Sequence, residues 1–267
     1  MAMRLQLQFL LPAIIERKSN YMISDSKRFA YFLPNIFTAL NMGCGFASIT
    51  QSIQHNFYLA SILLLLGAVF DSVDGRVARL TGTQSQFGEQ FDSISDVVSF
   101  GVAPSILVYQ CFFLDWGRSG LVLSFVFLLC GALRLARFNA NIEKVSSNYF
   151  QGMPIPGAAL ALVGLVLGFL EFGSLLGHPF VTIPYVLVFS LLMISNIPFP
   201  SFKDSDFVRK HMKTCLAIIL ALFVLLVLYE ELMLGLIVNG YVISSVVYFL
   251  LHKGDFQDIF LWKDDDN

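Results

Sequence analysis

Charge is what this chain has least of. Only 13% of its 267 residues are Asp, Glu, Lys or Arg, against roughly 25% in an ordinary soluble domain. The few charges are bunched between long apolar runs, and 56% of the residues are hydrophobic. A chain of this length cannot make enough interior to hide that much apolar surface from water, so its solvent is the bilayer. A net charge of −2 gives no general attraction to nucleic acid, and no such partner is expected. Cysteine is sparse as well. Cys44, Cys111, Cys130 and Cys215 are scattered through apolar stretches with no C-x-x-C pair, which points to small buried hydrophobes rather than metal ligands or disulfides. No small-residue cleavage site follows a hydrophobic core near the N-terminus, so a secretory signal is not expected. Residues 1–33 instead mix Arg4, Arg17, Lys18, Lys27 and Arg28 with an apolar patch at Leu5–Ile15, and read as an amphipathic juxtamembrane segment with a surface helix. Internal repeats and long linkers are lacking too, which leaves no separate soluble domain.

A spanning helix needs about 20 largely apolar residues. Candidates lie near 34–54, 57–78, 88–113, 119–138, 155–176, 181–199, 212–230 and 232–251. The fold expected is an all-α polytopic membrane protein of about eight transmembrane helices. Its core of about six helices occupies 34–203, and 204–267 adds two more with a tail. Loop charges test the count. With the N-terminus inside, sixteen of the 17 Lys and Arg residues fall on the cytoplasmic side and only Arg118 falls outside. That is a positive-inside pattern, and a missed or spurious middle helix would spoil it. Both termini are therefore expected in the cytoplasm of a cell with the chain in its inner membrane.

Against this background, Phe70–Phe100 reads F-D-S-V-D-G-R-V-A-R-L-T-G-T-Q-S-Q-F-G-E-Q-F-D-S-I-S-D-V-V-S-F. Asp71 and Asp74 are three apart and close the second span; Asp92 and Asp96 are four apart and open the third. Both spacings put a pair on one helical face. The T-G-T-Q-S-Q between them supplies turn residues, so an antiparallel hairpin can bring all four together. An ionised group inside a span costs at least ~2.5 kcal/mol, and four would also repel. A hard divalent cation resolves both problems, because such ions take oxygen ligands and leave places for substrate phosphate. The plainer reading is that each Asp snorkels to the surface, caps a helix end or pairs with Arg76 or Arg79. Four on two facing helix ends, with small Gly75, Ala78 and Gly88 between them, favour the metal site. The absence of His and Cys from the group argues against structural zinc.

The pattern D-x2-D-G-x2-A-R-x8-G-x3-D-x3-D is met without mismatch by Asp71, Asp74, Gly75, Ala78, Arg79, Gly88, Asp92 and Asp96. It resembles the signature of the CDP-alcohol phosphotransferase family. The resemblance implies Asp71, Asp74 and Asp92 as metal ligands, and Asp96 as ligand and catalytic general base. It also implies Gly75, Ala78, Arg79 and Gly88 around the cytidine nucleotide, with Mg²⁺ or Mn²⁺, two per site, as cofactor. P-N-I-F-T at the opening of the first span resembles the family's P-N-x-x-T, which would turn Asn35 and Thr38 toward the nucleotide. Pro34 at a helix start and Asn35 as its cap are an equal structural alternative. The reaction implied is attack of a hydroxyl on the β-phosphorus of a CDP-lipid with loss of CMP, at the cytoplasmic face.

Three further runs bear on the acceptor. R-L-A-R-F-N places Arg134, Arg137 and Asn139 at the end of the fourth span, with the two Arg one turn apart. Positive-inside anchoring would explain one Arg; two Arg and an Asn suit phosphate or carboxylate recognition. F-Q-G-M-P-I-P-G-A-A and P-S-F-K follow, the former with Gly157 where Ala is more usual. Together they resemble the membrane-integral phosphatidylserine synthases within that family, over residues 30–203. That implies CDP-diacylglycerol and L-serine as substrates, Arg134, Arg137 and Asn139 on the diphosphate or the serine carboxylate, and a homodimer. Glycerol 3-phosphate or inositol phosphate as acceptor is the alternative, since Arg134, Arg137, Lys144 and Lys203 could serve a phosphorylated one. No activated Ser, Cys or His accompanies the aspartates, which favours direct displacement over a covalent intermediate. An ion-coupled transporter would put carboxylates near the midplane of repeated halves, and a scaffold would need none.

Overall fold

The computed structural model describes residues 32–140, 149–200 and 229–251. The expected surface helix within 1–33 and the seventh expected span, 212–230, lie outside them, save that span's last two residues. Helices α1 (Phe32–Ile53), α2 (Phe57–Thr81), α3 (Gln86–Trp116) and α4 (Arg118–Ala140) follow one another through short turns. Then come strand β1 (Tyr149–Gln151), α5 (Ile155–Phe172), the single turn α6 (Ser174–Gly177), α7 (Pro179–Ile194), β2 (Pro198–Pro200) and α8 (Glu230–Leu251). Among the described residues, six helices are long and apolar enough to cross a membrane, and α7 is a shorter apolar one. The protein is a helical, polytopic membrane protein.

Side chains fit the bilayer as solvent. Large apolar residues such as Phe46, Val69, Leu121, Phe125 and Ile243 point outward, where lipid replaces water as their neighbour. The interior is centred on α5, whose small and medium residues Ala158, Ala161, Leu162, Val166 and Leu167 are buried. Helices α2, α7 and α8 pack around it, and α4 packs on α7 and on α3 from Val97 to Trp116.

Local chemistry sets the boundaries of the α2–α3 hairpin. Helix α2 stops at Gly82, whose φ of 63° is the left-handed cap that glycine adopts without penalty; its N–H reaches the carbonyls of Ala78 and Arg79. Helix α3 then starts from Ser85, whose hydroxyl accepts the Gly88 N–H at 3.1 Å. Within α3 the α-helix widens to a π-helix at Val97–Val102, directly after Asp96, and again at Tyr109–Phe113. The sixth expected span, 181–199, is shorter than its apolar run: α7 ends at Ile194. Pro198 and Pro200 cannot continue a helix, and Pro198–Pro200 pairs antiparallel with Tyr149–Gln151 instead, Phe150 opposite Phe199.

Candidate active site

The α2–α3 hairpin brings the aspartates together. Asp71 and Asp74 lie on α2 and Asp92 and Asp96 on α3, all in α-helical geometry. Asp71, Asp74 and Asp92 each offer an oxygen such that these atoms lie within 4.8 Å of one another. Asp96, one turn deeper than Asp92, touches Asp71 through its carboxyl group. Asp74 is 5% exposed. Oδ1 of Asp92 and Oδ1 of Asp96 are buried without a hydrogen-bond partner. Buried carboxylate oxygens left unsatisfied are costly. Converging, acceptor-only oxygens are the donor set a hard divalent ion takes, so the residues fit such an ion.

Helix α1 supplies the second wall. Thr38, 3% exposed, donates its hydroxyl to Asp74 Oδ2 at 2.9 Å and so orients that carboxylate. Two serines on α3 tie the same helix down: Ser95 Oγ donates to the Thr38 carbonyl at 3.1 Å, and Ser99 Oγ to the Asn41 carbonyl at 3.0 Å. Between the hairpin and α1 opens a cleft of about 600 Å³, its open mouth included. Asn35, Thr38, Gly75, Ala78, Arg79 and Gly88, six of the expected substrate-binding residues, line it together with Asp74 and Asp92. A Cβ on Gly88 would stand 3.5 Å from Asn35 Oδ1, so glycine there keeps the cleft open toward α1.

The remaining three expected residues close α4 on the other side of α3. Asn139 Nδ2 donates to Ser93 Oγ at 2.9 Å, one residue from Asp92. Arg134 is 6% exposed, its Nε has no hydrogen-bond partner, and Asp96 is among its electrostatic neighbours. Arg137 points elsewhere. Its terminal nitrogens donate to the carbonyls of Ile194, Gln151, Ser195 and Met193 and to Asn196 Oδ1. The structure thus gathers ten expected residues around the hairpin and its cleft, adds Arg134 and Asn139 across α3, and sets Arg137 on protein oxygens.

A profile of the family described as CDP-alcohol phosphatidyltransferase matches residues 31–251. The chain belongs to that family. The match runs through α8, past the signature hairpin and the runs at α4 to β2. Among curated relatives, the CDP-diacylglycerol–serine O-phosphatidyltransferase of Helicobacter pylori is 37% identical over 222 residues, covering 82% of this chain and 92% of the relative. The enzyme of the same name from Methanocaldococcus jannaschii is 43% identical over 158 residues, 59% of this chain and 72% of the relative. The archaetidylserine synthase of Methanothermobacter thermautotrophicus is 40% identical over 182 residues, 67% and 74%.

Residue patterns alone missed the tethers of this CDP-alcohol phosphatidyltransferase site. Ser95 and Ser99, four apart on α3 and both fully buried, were legible only as polar residues in a diluted span. Their spacing, i and i+4 toward one neighbour, was the available signal. Ser85 carried the clearer one, a helix-capping residue just before the third span.

Proposed function

We propose that this chain transfers the phosphatidyl group of CDP-diacylglycerol to the hydroxyl of L-serine, giving phosphatidylserine and CMP. The observation that carries the reading is the convergence of three carboxylates within 4.8 Å beside a cleft walled by Gly75, Ala78 and Gly88. Relatives named for serine transfer at 37–43% identity support serine as acceptor.

Asp71, Asp74, Asp92 and Asp96 would hold two Mg²⁺ or Mn²⁺ ions, which supply neutralisation of the diphosphate and alignment of an in-line displacement. Thr38 keeps the Asp74 carboxylate aimed at the cleft. The glycines and Ala78 let the cytidine moiety approach the backbone. Asp96 accepts the proton of the serine hydroxyl as the new O–P bond forms and the bond to CMP breaks. Arg134 receives the serine carboxylate, because a buried guanidinium with an open Nε needs an anion. The sixteen-to-one charge partition supports eight spans with cytoplasmic termini and a cytoplasmic site, and an inner membrane is proposed with them. A homodimer completes the proposal by resemblance to the family.

Purified protein with CDP-diacylglycerol, L-serine and Mn²⁺ or Mg²⁺ should release CMP. Release with glycerol 3-phosphate or inositol phosphate but not serine would move the acceptor assignment. Silence with all three would sink the enzyme reading. Archaeal relatives make lipid chemistry a second axis, and archaetidyl and diacyl CDP-lipids belong side by side in that assay.

A further inference from the structure

Two arginines one turn apart close α4, and their surroundings differ. Arg134 is buried with Nε unpartnered, and Asp96 is among its electrostatic neighbours. Arg137 donates to a set of neutral oxygens. Nη1 donates to the Ile194 carbonyl at 3.0 Å and to Asn196 Oδ1 at 3.3 Å. Nη2 donates to the carbonyls of Gln151 and Ser195 at 3.1 Å and of Met193 at 3.3 Å. Met193, Ile194 and Ser195 end α7, where the last carbonyls lack helical donors and carry the negative end of the helix dipole. A planar guanidinium can span several such oxygens; an ammonium cannot.

The same knot holds the strand pair. Gly152 N–H reaches the Ile197 carbonyl at 2.9 Å and Met153 N–H the Leu192 carbonyl at 3.0 Å. Gly152 has φ of 74°, and a Cβ there would stand 2.5 Å from the Met193 carbonyl oxygen, 2.8 Å from that of Ser195 and 3.0 Å from Arg137 Nη2. Across α4, Asn139 is bonded to Ser93 on α3. The end of α4 is therefore fastened on both sides, to α3 by Asn139 and to α7 and β1 by Arg137.

We propose that Arg137 is a positioning residue: by locking α4 to the end of α7 and to β1 it places Arg134 for the acceptor's carboxylate and does not itself touch substrate. The inference rests on the reading of Arg134 and Asp96 as the acceptor side. It makes a lysine at 137 a poor replacement although it keeps the charge, and it couples a chargeless residue, Gly152, to acceptor binding.

The test is a serine titration of CMP release by full-length Arg137→Lys, Gly152→Ala and Asn196→Ala, at saturating CDP-diacylglycerol. Arg137→Lys and Gly152→Ala should each raise the serine KM about ten-fold or more, with the CDP-diacylglycerol KM within about two-fold of wild type. The double variant should be no worse than the poorer single one, because both undo one knot. Asn196→Ala, which keeps every backbone carbonyl, should raise the serine KM about two- to five-fold and serves if Gly152→Ala fails to fold. A wild-type serine KM in Arg137→Lys, or a lowered melting temperature with unchanged serine KM in the variants, overturns the proposal. Wild-type enzyme that uses another acceptor and ignores serine refutes the functional reading instead. The same variants titrated with that acceptor then decide the role of Arg137.

Discussion

Replacing Gly45 with alanine should damage catalysis out of proportion to the one methyl group added. Helix α1 meets α3 there, at the π-helical turn Val97–Val102 that follows Asp96. A Cβ on Gly45 would lie 2.6 Å from Ser99 Oγ and 2.7 Å from Ser99 Cα. The second contact is with backbone, so no rotamer relieves it, and the two helices must part by roughly 0.7 Å to reach ordinary contact. That parting strains the Ser99–Asn41 and Ser95–Thr38 bonds. Overpacking of this kind costs about 1–3 kcal/mol. Gly43, on the same helix, has nothing within 4 Å of its Cβ position and supplies the control. Glycine to alanine in a helix gains up to about 1 kcal/mol at either site, so the difference between the two variants isolates the contact. Asp96 lies within a turn of Ser99, and a shift of about 1 Å at a reacting group can cost on the order of 100-fold in rate. Thermal unfolding in detergent and CMP release are the assays. Gly45→Ala should melt several degrees below Gly43→Ala and turn over about ten- to a hundred-fold more slowly. Equal melting and equal turnover in the two variants would refute the reasoning.

Asp92→Asn should abolish turnover and blunt the metal dependence of CDP-lipid binding, checked by titrating Mn²⁺ against binding of the lipid. Asp96→Asn should cut turnover far more than CDP-lipid binding if Asp96 takes the proton; equal losses would leave it a ligand only. Thr38→Val removes the hydroxyl that meets Asp74 Oδ2 and should weaken CDP-lipid binding by about 1–2 kcal/mol, roughly five- to thirty-fold, by equilibrium titration. Chelation of divalent ions should stop CMP release, and added Mn²⁺ or Mg²⁺ should restore it; full activity in excess chelator would contradict the metal role.

The aspartate hairpin was legible because helical spacing is a local rule: three- and four-residue gaps share a face whatever surrounds them. The cleft residues were legible only through the family signature, since nothing in Gly75 or Ala78 by itself announces a nucleotide. Hydropathy found the spans but overran α7, because Ile197 and Phe199 score as apolar while the geometry of Pro198 and Pro200 sends the segment into a strand. The fates of Arg134 and Arg137 were not separable in sequence. One turn on α4 divides them, and which is buried with a bare Nε and which reaches α7 depends on packing between helices far apart in the chain. The π-helical turns in α3 have no composition mark at all.

Gly82 has a consequence for how the molecule comes into being. The chain between Asp74 and Asp92 is one helix end, one left-handed cap and one capped helix start, so the donor-side carboxylates meet by closing a very short loop. As the ribosome delivers α2 and α3 to the bilayer, the aspartate hairpin can take shape before α4 to α8 exist. The later helices then dock on it and bring Arg134 and Asn139 to the other side of α3. On the proposed reading, a change of acceptor would fall on the later helices and leave the hairpin for the CDP-lipid as it is.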